Sequence, residues 1–477
     1  MAASRDPVPP QPSRPSRPCR PARIPGSPLL LSRRLPWEQA CNALGAEVAA
    51  RRARGEEIID LTESNPTRVG IAYPEAELAD LLQQSAAPGY EPHPLGMPEA
   101  REALAAALSR PGDKVAPEDL VLTASTSEAY SYLFKLFGDP GDEVLAAAPA
   151  YPLLDDLARL DGLTLRHFQL EPGRRFALDP GEIERALGPR SRLLVLVHPA
   201  NPTGSLLSPG EQDAVVDLCA ARGLPWISDE VFADYVLEGD GEARAAVDRS
   251  TGAAKAAKAE RPAGRSGRAE TAATRGPGAG AAEEAGAYAG PAAARHAGPA
   301  AAREESLAFS LGGLSKSAGL PGWKLGWIRI GGPAAERRRI AAVLELVADT
   351  YLSVATPVQR ALGGLLALAP RIQTAIRDRL RRNLAALEAA AAVLPEVDLF
   401  KPQAGWSAVL RVPHLLGDEE LALGVLRQAG VLVHPGYFFD FATDGFLVIS
   451  LLPESAELAD GVRRLAAYLG ELIAAGR

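Results

Sequence analysis

Lys316 is the residue of this chain best placed to do covalent chemistry. It stands in Phe309-Ser310-Leu311-Gly312-Gly313-Leu314-Ser315-Lys316-Ser317-Ala318-Gly319, where an apolar run gives way to a small-residue loop carrying one amine. The chain prefers arginine as its base, and its only lysines are Lys114, Lys135, Lys255, Lys258, Lys316, Lys324 and Lys401. A guanidinium stays protonated and cannot form an imine, whereas a lysine amine can. Two other segments end in the same way. Leu193-Leu194-Val195-Leu196-Val197-His198 reads as a buried strand running into Pro199-Ala200-Asn201-Pro202-Thr203-Gly204, and Trp226-Ile227-Ser228 ends on Asp229. In a parallel α/β sheet, residues just past the carboxyl ends of strands converge on one crevice, so Asn201, Asp229 and Lys316 are expected to meet there.

An amine for an imine, a carboxylate that keeps a ring nitrogen protonated and a donor to a ring oxygen are what pyridoxal phosphate asks of a protein. Lys316, Asp229 and Asn201 supply them in that order. Taken singly, Asn-Pro-Thr-Gly is also a plain turn and Asp229 a plain helix cap. Their joint occurrence favours the cofactor.

On these motifs the chain resembles the class I/II aminotransferases of the fold-type I pyridoxal-phosphate enzymes, over about residues 40–238 and 306–475. The resemblance implies an α/β, three-layer PLP-dependent transferase fold: a large domain with a mostly parallel sheet plus a smaller α/β domain. It implies an amino group moved between an amino acid and a 2-oxo acid, with Lys316 and Asp229 catalytic. Thr123-Ala124-Ser125-Thr126-Ser127-Glu128-Ala129 is similar to the family's phosphate loop, where hydroxyls and backbone N–H groups at a helix start hold a dianion. Ser125, Thr126, Ser127, Ser315 and Lys324 thus join Asn201 as expected cofactor ligands, with Tyr151 stacking on the ring. Tyr90, in Tyr90-Glu91-Pro92-His93-Pro94-Leu95-Gly96, is expected to reach the neighbouring subunit's cofactor in a homodimer. Asn65, Arg68, Arg411 and Trp406 match segments bordering the substrate pocket.

The departures from the family pattern are as specific as the matches. Phe232 stands where a tyrosine usually donates to the 3′-oxygen, leaving that role to Asn201, or to Tyr235 if the loop bends back. Gly313 replaces a phosphate-binding serine, and Lys324 replaces a forked arginine with a point charge. In Gly445-Phe446-Leu447-Val448-Ile449-Ser450, Val448 takes the place of the arginine that binds the substrate carboxylate. Arg68 and Arg411 are the candidates to replace it. The same cofactor residues also serve carbon–sulfur lyases and decarboxylases on this fold, or a non-catalytic PLP-binding protein.

Composition sets outer bounds. A net charge of -8 argues against a nucleic-acid partner, and no apolar run approaches a membrane span. Cys19, Cys41 and Cys219 lack ligand-like spacing, which speaks against a metal site and for a reducing, cytoplasmic setting. Residues 1–35 read as a disordered Pro/Arg-rich tail, with a targeting segment as the other reading, and 239–305 as a low-complexity insertion. Between them, 36–75 is expected to join the small domain, 76–345 to form the large domain and 346–477 the small one. Apolar periodicity predicts helices over Pro98–Leu108 and Ser208–Ala221, and a helical stretch over Ala334–Ala367 interrupted near Pro357. Strands are predicted at Leu120–Leu122, Glu143–Ala147, Leu163–Gln169 and Ile328–Ile330. The run Tyr437-Phe438-Phe439 points to an apolar or aromatic amine as substrate.

Overall fold

The computed structural model describes Ser32, Arg34 and residues 42–86, 88–111, 113–237, 306–352 and 354–476. The insertion expected over 239–305 lies outside the described residues, as does the tail expected over 1–35 apart from Ser32 and Arg34. In chain order the strands are β1 (Ile59–Asp60), β2 (Leu120–Thr123), β3 (Glu143–Ala148), β4 (Thr164–Gln169), β5 (Ser191–Val197), β6 (Trp226–Asp229), β7 (Ala308–Gly313), β8 (Gly326–Gly331), β9 (Asp398–Phe400), β10 (Ser407–Arg411), β11 (Val431–Leu432), β12 (His434–Pro435) and β13 (Phe446–Ser450).

Seven of them form one sheet in the order β2-β8-β7-β6-β5-β3-β4, with β8 antiparallel to both neighbours and the other pairings parallel. Leu193–Leu196 of β5 and all of β6 are buried, as strands covered on both faces must be. Edge strand β4 alternates exposed and covered positions instead. One apolar layer, from helices Thr126–Phe137 and Ala334–Tyr351, covers one face around Phe134, Phe309 and Leu344. The other layer gathers Ile183, Val215, Trp226 and, from the four-stranded sheet, Val409 and Val448.

That smaller sheet runs β12-β13-β10-β9, all antiparallel. Beside it, β1 pairs in parallel with β11, so the chain start is tied to the C-terminal third. The expected helical stretch from Ala334 is two helices, Ala334–Tyr351 and Thr356–Ala391. The break falls just before Pro357, as expected, and Pro357 itself sits in the first turn of the second helix, where its missing N–H costs nothing. This long helix clamps both ends of the chain. Arg379 Nη1 donates to the carbonyls of Val69, Leu452 and Pro453, and Asn383 Nδ2 to those of Leu451 and Pro453. The segments that follow β1 and β13 are therefore held to one rigid element.

Candidate active site

The parallel register brings the strand ends together. Val197 of β5 is level with Asp229 of β6, and Asp229 with Leu311 of β7. Beyond β7 the chain makes one helical turn, Leu314–Ser317, that carries Lys316. A cleft of about 330 Å³ opens over these ends, lined by Ser125, Thr126, Ser127, Tyr151, Asn201, Asp229, Ser315, Lys316, Lys324 and Trp406. Every one of these was an expected site residue.

Asp229 is only 7% exposed. It accepts from Tyr130 Oη at 2.8 Å and from the Val231 N–H at 3.1 Å, and no cation pairs with it among the described residues. Burial pushes its carboxyl up from the ordinary value, the two donors pulling the other way. Lys316 forms no ion pair among the described residues either. Burial draws its ammonium down, against a weaker pull from the Glu63 carboxylate, and its Nζ lies 4.9 Å from the centre of the Trp406 ring. The turn beneath it is pinned from three sides. Tyr235 Oη donates to the Lys316 carbonyl at 2.7 Å, Gln373 Nε2 to that of Ser317 at 2.6 Å, and Tyr73 Oη to that of Gly319 at 2.7 Å.

At the other wall, helix Thr126–Phe137 points its start into the cleft. Ser125 caps it, its Oγ accepting from the Glu128 N–H at 3.2 Å while Glu128 returns a carboxylate oxygen to the Ala124 N–H. Ser125's hydroxyl thus serves the helix, and the N–H groups of the first turn stay available for an anion. Gly326 makes this possible. A Cβ there would lie 2.9 Å from the Ser125 carbonyl carbon and 3.0 Å from the Thr126 nitrogen, so only glycine lets the turn lie against β8.

Four expectations are corrected. Arg411 closes the far end of β10, half exposed and paired with Asp398 at 3.1 Å; it does not line the cleft. Strand geometry is the reason, since Ser407 at the near end already faces the cleft and four residues span about 13 Å. Arg68 sits outside too, in the turn Pro66–Arg68 with its side chain 73% exposed and 3.7 Å from Glu63. Asn65 caps that turn, accepting from the Thr67 N–H and hydroxyl, while Thr62 and Ser64 border the cleft instead. Tyr235 is fully buried with its hydroxyl under Lys316, so it is not the ring-oxygen donor. Tyr90 is not among these corrections: it is 67% exposed and outside this chain's own cleft, and the site it is expected to reach is the neighbouring subunit's. Val448, by contrast, does line the cleft, at the position where the family pattern leads one to expect the arginine.

Sequence reasoning missed Tyr130, Gln373, Ser407 and Ser450, whereas His434 belongs to the stretch from His434 to Phe441 that was expected to border the pocket and does line the cleft. Tyr130 was findable: it lies four residues after Thr126, one turn along the same helix face. Gln373 gave no signal, being far from every motif in the chain.

The aminotransferase class I and II family matches residues 58–258 and 282–465. Among known proteins, the aspartate/prephenate aminotransferase of Thermus thermophilus is 25% identical across 92% of this chain and 99% of its own length. The alanine aminotransferase of Mycobacterium tuberculosis is 25% identical across 88% of each. Among solved structures, an alanine aminotransferase from Pyrococcus furiosus superposes with a TM-score of 0.74 at 21% identity, covering 92% of this chain and all of that one. The chain belongs to the class I and II aminotransferases, enzymes of amino-group transfer that depend on pyridoxal phosphate.

Proposed function

We propose that the cleft binds pyridoxal phosphate through Lys316 and moves an amino group between an amino acid and a 2-oxo acid. The observation that carries this is a set of three unmet demands around one cleft: a buried carboxylate with no cation, a partly buried amine in no ion pair, and a helix start whose Thr126 and Ser127 N–H groups have no partner among the described residues. A ligand with a basic ring nitrogen, an aldehyde and a phosphate answers all three at once. When bound, pyridoxal phosphate supplies an aldehyde that condenses with primary amines and a ring that withdraws electrons from the bonds at the amine's α-carbon.

The chain's residues divide the remaining work. The Ser125–Ser127 turn and Lys324 hold the phosphate, the lysine as a point charge in place of a fork. Asp229 keeps the ring nitrogen protonated, and Tyr130 and the Val231 N–H hold that carboxylate in line. Asn201 donates to the ring oxygen alone, since Phe232 has no hydroxyl and Tyr235 is committed elsewhere. Tyr151 covers the ring. Lys316 Nζ takes the proton from the substrate's α-carbon and returns it, and burial favours the neutral amine that this needs.

The same reading divides the chain into 36–75 with 346–477 as a small domain and 76–345 as the large one, which the β1–β11 pairing supports. It also makes the enzyme a homodimer, with exposed Tyr90 reaching the other subunit's phosphate. The test is the visible spectrum of the purified protein, reduced with borohydride and digested. Label fixed on the Lys316 peptide, and a band that one amino acid shifts and a 2-oxo acid restores, is the expected result. Label on another lysine, or a band that no amine moves, overturns it.

A further inference from the structure

Cross-strand register decides what stands where the family pattern places its carboxylate-binding arginine. Val448 of β13 lies opposite His434 of β12, and Ser450 lies opposite Ser407 of β10. Directly opposed residues share a sheet face with Cβ atoms about 4.5–5.5 Å apart, and residues two apart in a strand share it as well. His434, Val448, Ser450 and Ser407 therefore form one face, and all four line the cleft.

No arginine lines that cleft among the described residues; its bases are Lys316, Lys324 and His434. Lys316 is taken by the chemistry proposed above and Lys324 by the phosphate. Of the hydroxyls, Ser450 donates to the Glu63 carbonyl at 2.7 Å and Thr62 to Asp60, so both are committed. The donors left over are few. The Trp406 indole N–H has no hydrogen-bond partner among the described residues, but it is sealed off from the open cleft. Neither His434 ring nitrogen bonds another described residue, and the ring is held at its edges by Phe438 and Phe439, at 5.8 and 5.7 Å between centres.

We propose that His434, with the Ser407 hydroxyl, recognises the carboxylate common to the amino-acid and 2-oxo-acid substrates, in place of a guanidinium. The inference rests on the amino-transfer reading above and deepens it. Even a neutral imidazole donates one N–H, and a carboxylate beside it favours a second proton. Because such a contact lacks the two-pronged fork of an arginine, more of the selection falls to the apolar wall of Leu154, Leu157, Phe232 and Phe439.

The experiment uses the full chain loaded with pyridoxal phosphate and compares wild type, His434→Ala, His434→Gln and the double variant His434→Ala/Val448→Arg. Three quantities are read: the visible band of the bound cofactor, KM and kcat for amino acid and 2-oxo acid separately, and inhibition by 4-methylpentanoate against its amide. Loss of a hydrogen bond to a charged group should raise KM for both substrates and weaken the acid inhibitor by roughly tenfold or more in His434→Ala. The band should persist, the amide should bind as before, His434→Gln should recover part of the affinity, and Val448→Arg should restore it by supplying the fork. If KM and acid inhibition do not move in either His434 variant while the wild type keeps its band and turnover, this inference alone falls. A wild type with no band overturns the cofactor reading and this inference with it.

Discussion

The two ends of the cleft are built on opposite principles. At the large-sheet end, charged groups are buried, uncompensated and tightly pinned: Asp229 by Tyr130 and Val231, the Lys316 turn by Tyr235, Gln373 and Tyr73. At the small-sheet end, the face that meets the substrate carries an imidazole, two hydroxyls and a valine, with no permanent charge among them. A ligand that stays through every turnover can be met by fixed, desolvated charges, because its binding energy offsets their desolvation once. A ligand that must leave is better met by neutral donors. The comparison predicts large, qualitative losses from changes at the first end and graded changes in affinity at the second.

The largest effect belongs to Lys316→Ala. It removes both the amine and the base, and general acid–base catalysis alone is worth about 10²–10⁴ in rate. Turnover should fall by at least about a thousandfold while circular dichroism shows the fold unchanged. Residual activity within tenfold of wild type would break the distinction between the two ends. Asp229→Asn comes next, with kcat down by roughly a hundredfold or more, because the ring nitrogen loses the charge that holds its proton.

The same substitution should have the opposite sign on stability of the unloaded protein. Asp229's carboxyl is raised in the folded state above its unfolded value near 3.9. The protonated form is thus the one the fold prefers, and its contribution is full below the unfolded value and lost as pH rises through the folded one. Once ionised the wild type has lost it, whereas asparagine carries no charge to bury. Asp229→Asn should therefore raise the Tm of the cofactor-free protein at pH 7 by about 2–4 °C. The gain should shrink as the pH is lowered toward 4. A lower Tm at pH 7 would mean that the carboxylate is a structural asset and not a cost.

Tyr235→Phe sits between the ends in magnitude. Its hydroxyl donates to the backbone of the lysine turn, at 2.7 Å from the Lys316 carbonyl. Removing it leaves that carbonyl short of a donor in a buried place, costing about 1–3 kcal/mol of stability and a few-fold in kcat, with KM little changed. Thermal denaturation and steady-state kinetics on the same preparation separate the two. A tenfold rise in KM would place Tyr235 on the substrate instead.

Much of the first end was legible in the chain and little of the second. Lys316, Asp229 and Asn201 announce themselves because strand ends converge by topology: a short apolar run that stops at a polar residue predicts both burial and position. The helix start at Ser125–Ser127 is legible for a similar reason, since capping chemistry is local. The small-sheet face is set by antiparallel register between β10, β12 and β13, and no local pattern encodes which residue of one strand lies opposite which of another. The stretch from His434 to Phe441 was legible as a pocket wall, but only the pairing of His434 with Val448 sets its imidazole beside the position of the missing arginine. Arg411 failed for the same reason in reverse: it belongs to the right strand but to the wrong end.

That error yields the smallest and sharpest prediction. Arg411 and Asp398 form an ion pair at 3.1 Å whose side chains are 51% and 57% exposed. Pairs in such solvent are worth about 0–1 kcal/mol. Arg411→Ala should therefore leave the KM for amino acid and 2-oxo acid within about twofold of wild type and shift Tm by no more than about 2 °C. Set beside His434→Ala, it is the stricter control, because the larger positive charge is removed and the smaller effect is expected. If Arg411→Ala were the variant whose KM rose tenfold for both acids, long-range charge and not contact on the β10–β13 face would be guiding the substrate. The KM change would then shrink with added salt, since an exposed charge acting at a distance is screened within about 10 Å at 0.1 M. A contact made by His434 inside the cleft should keep its effect across the same salt range.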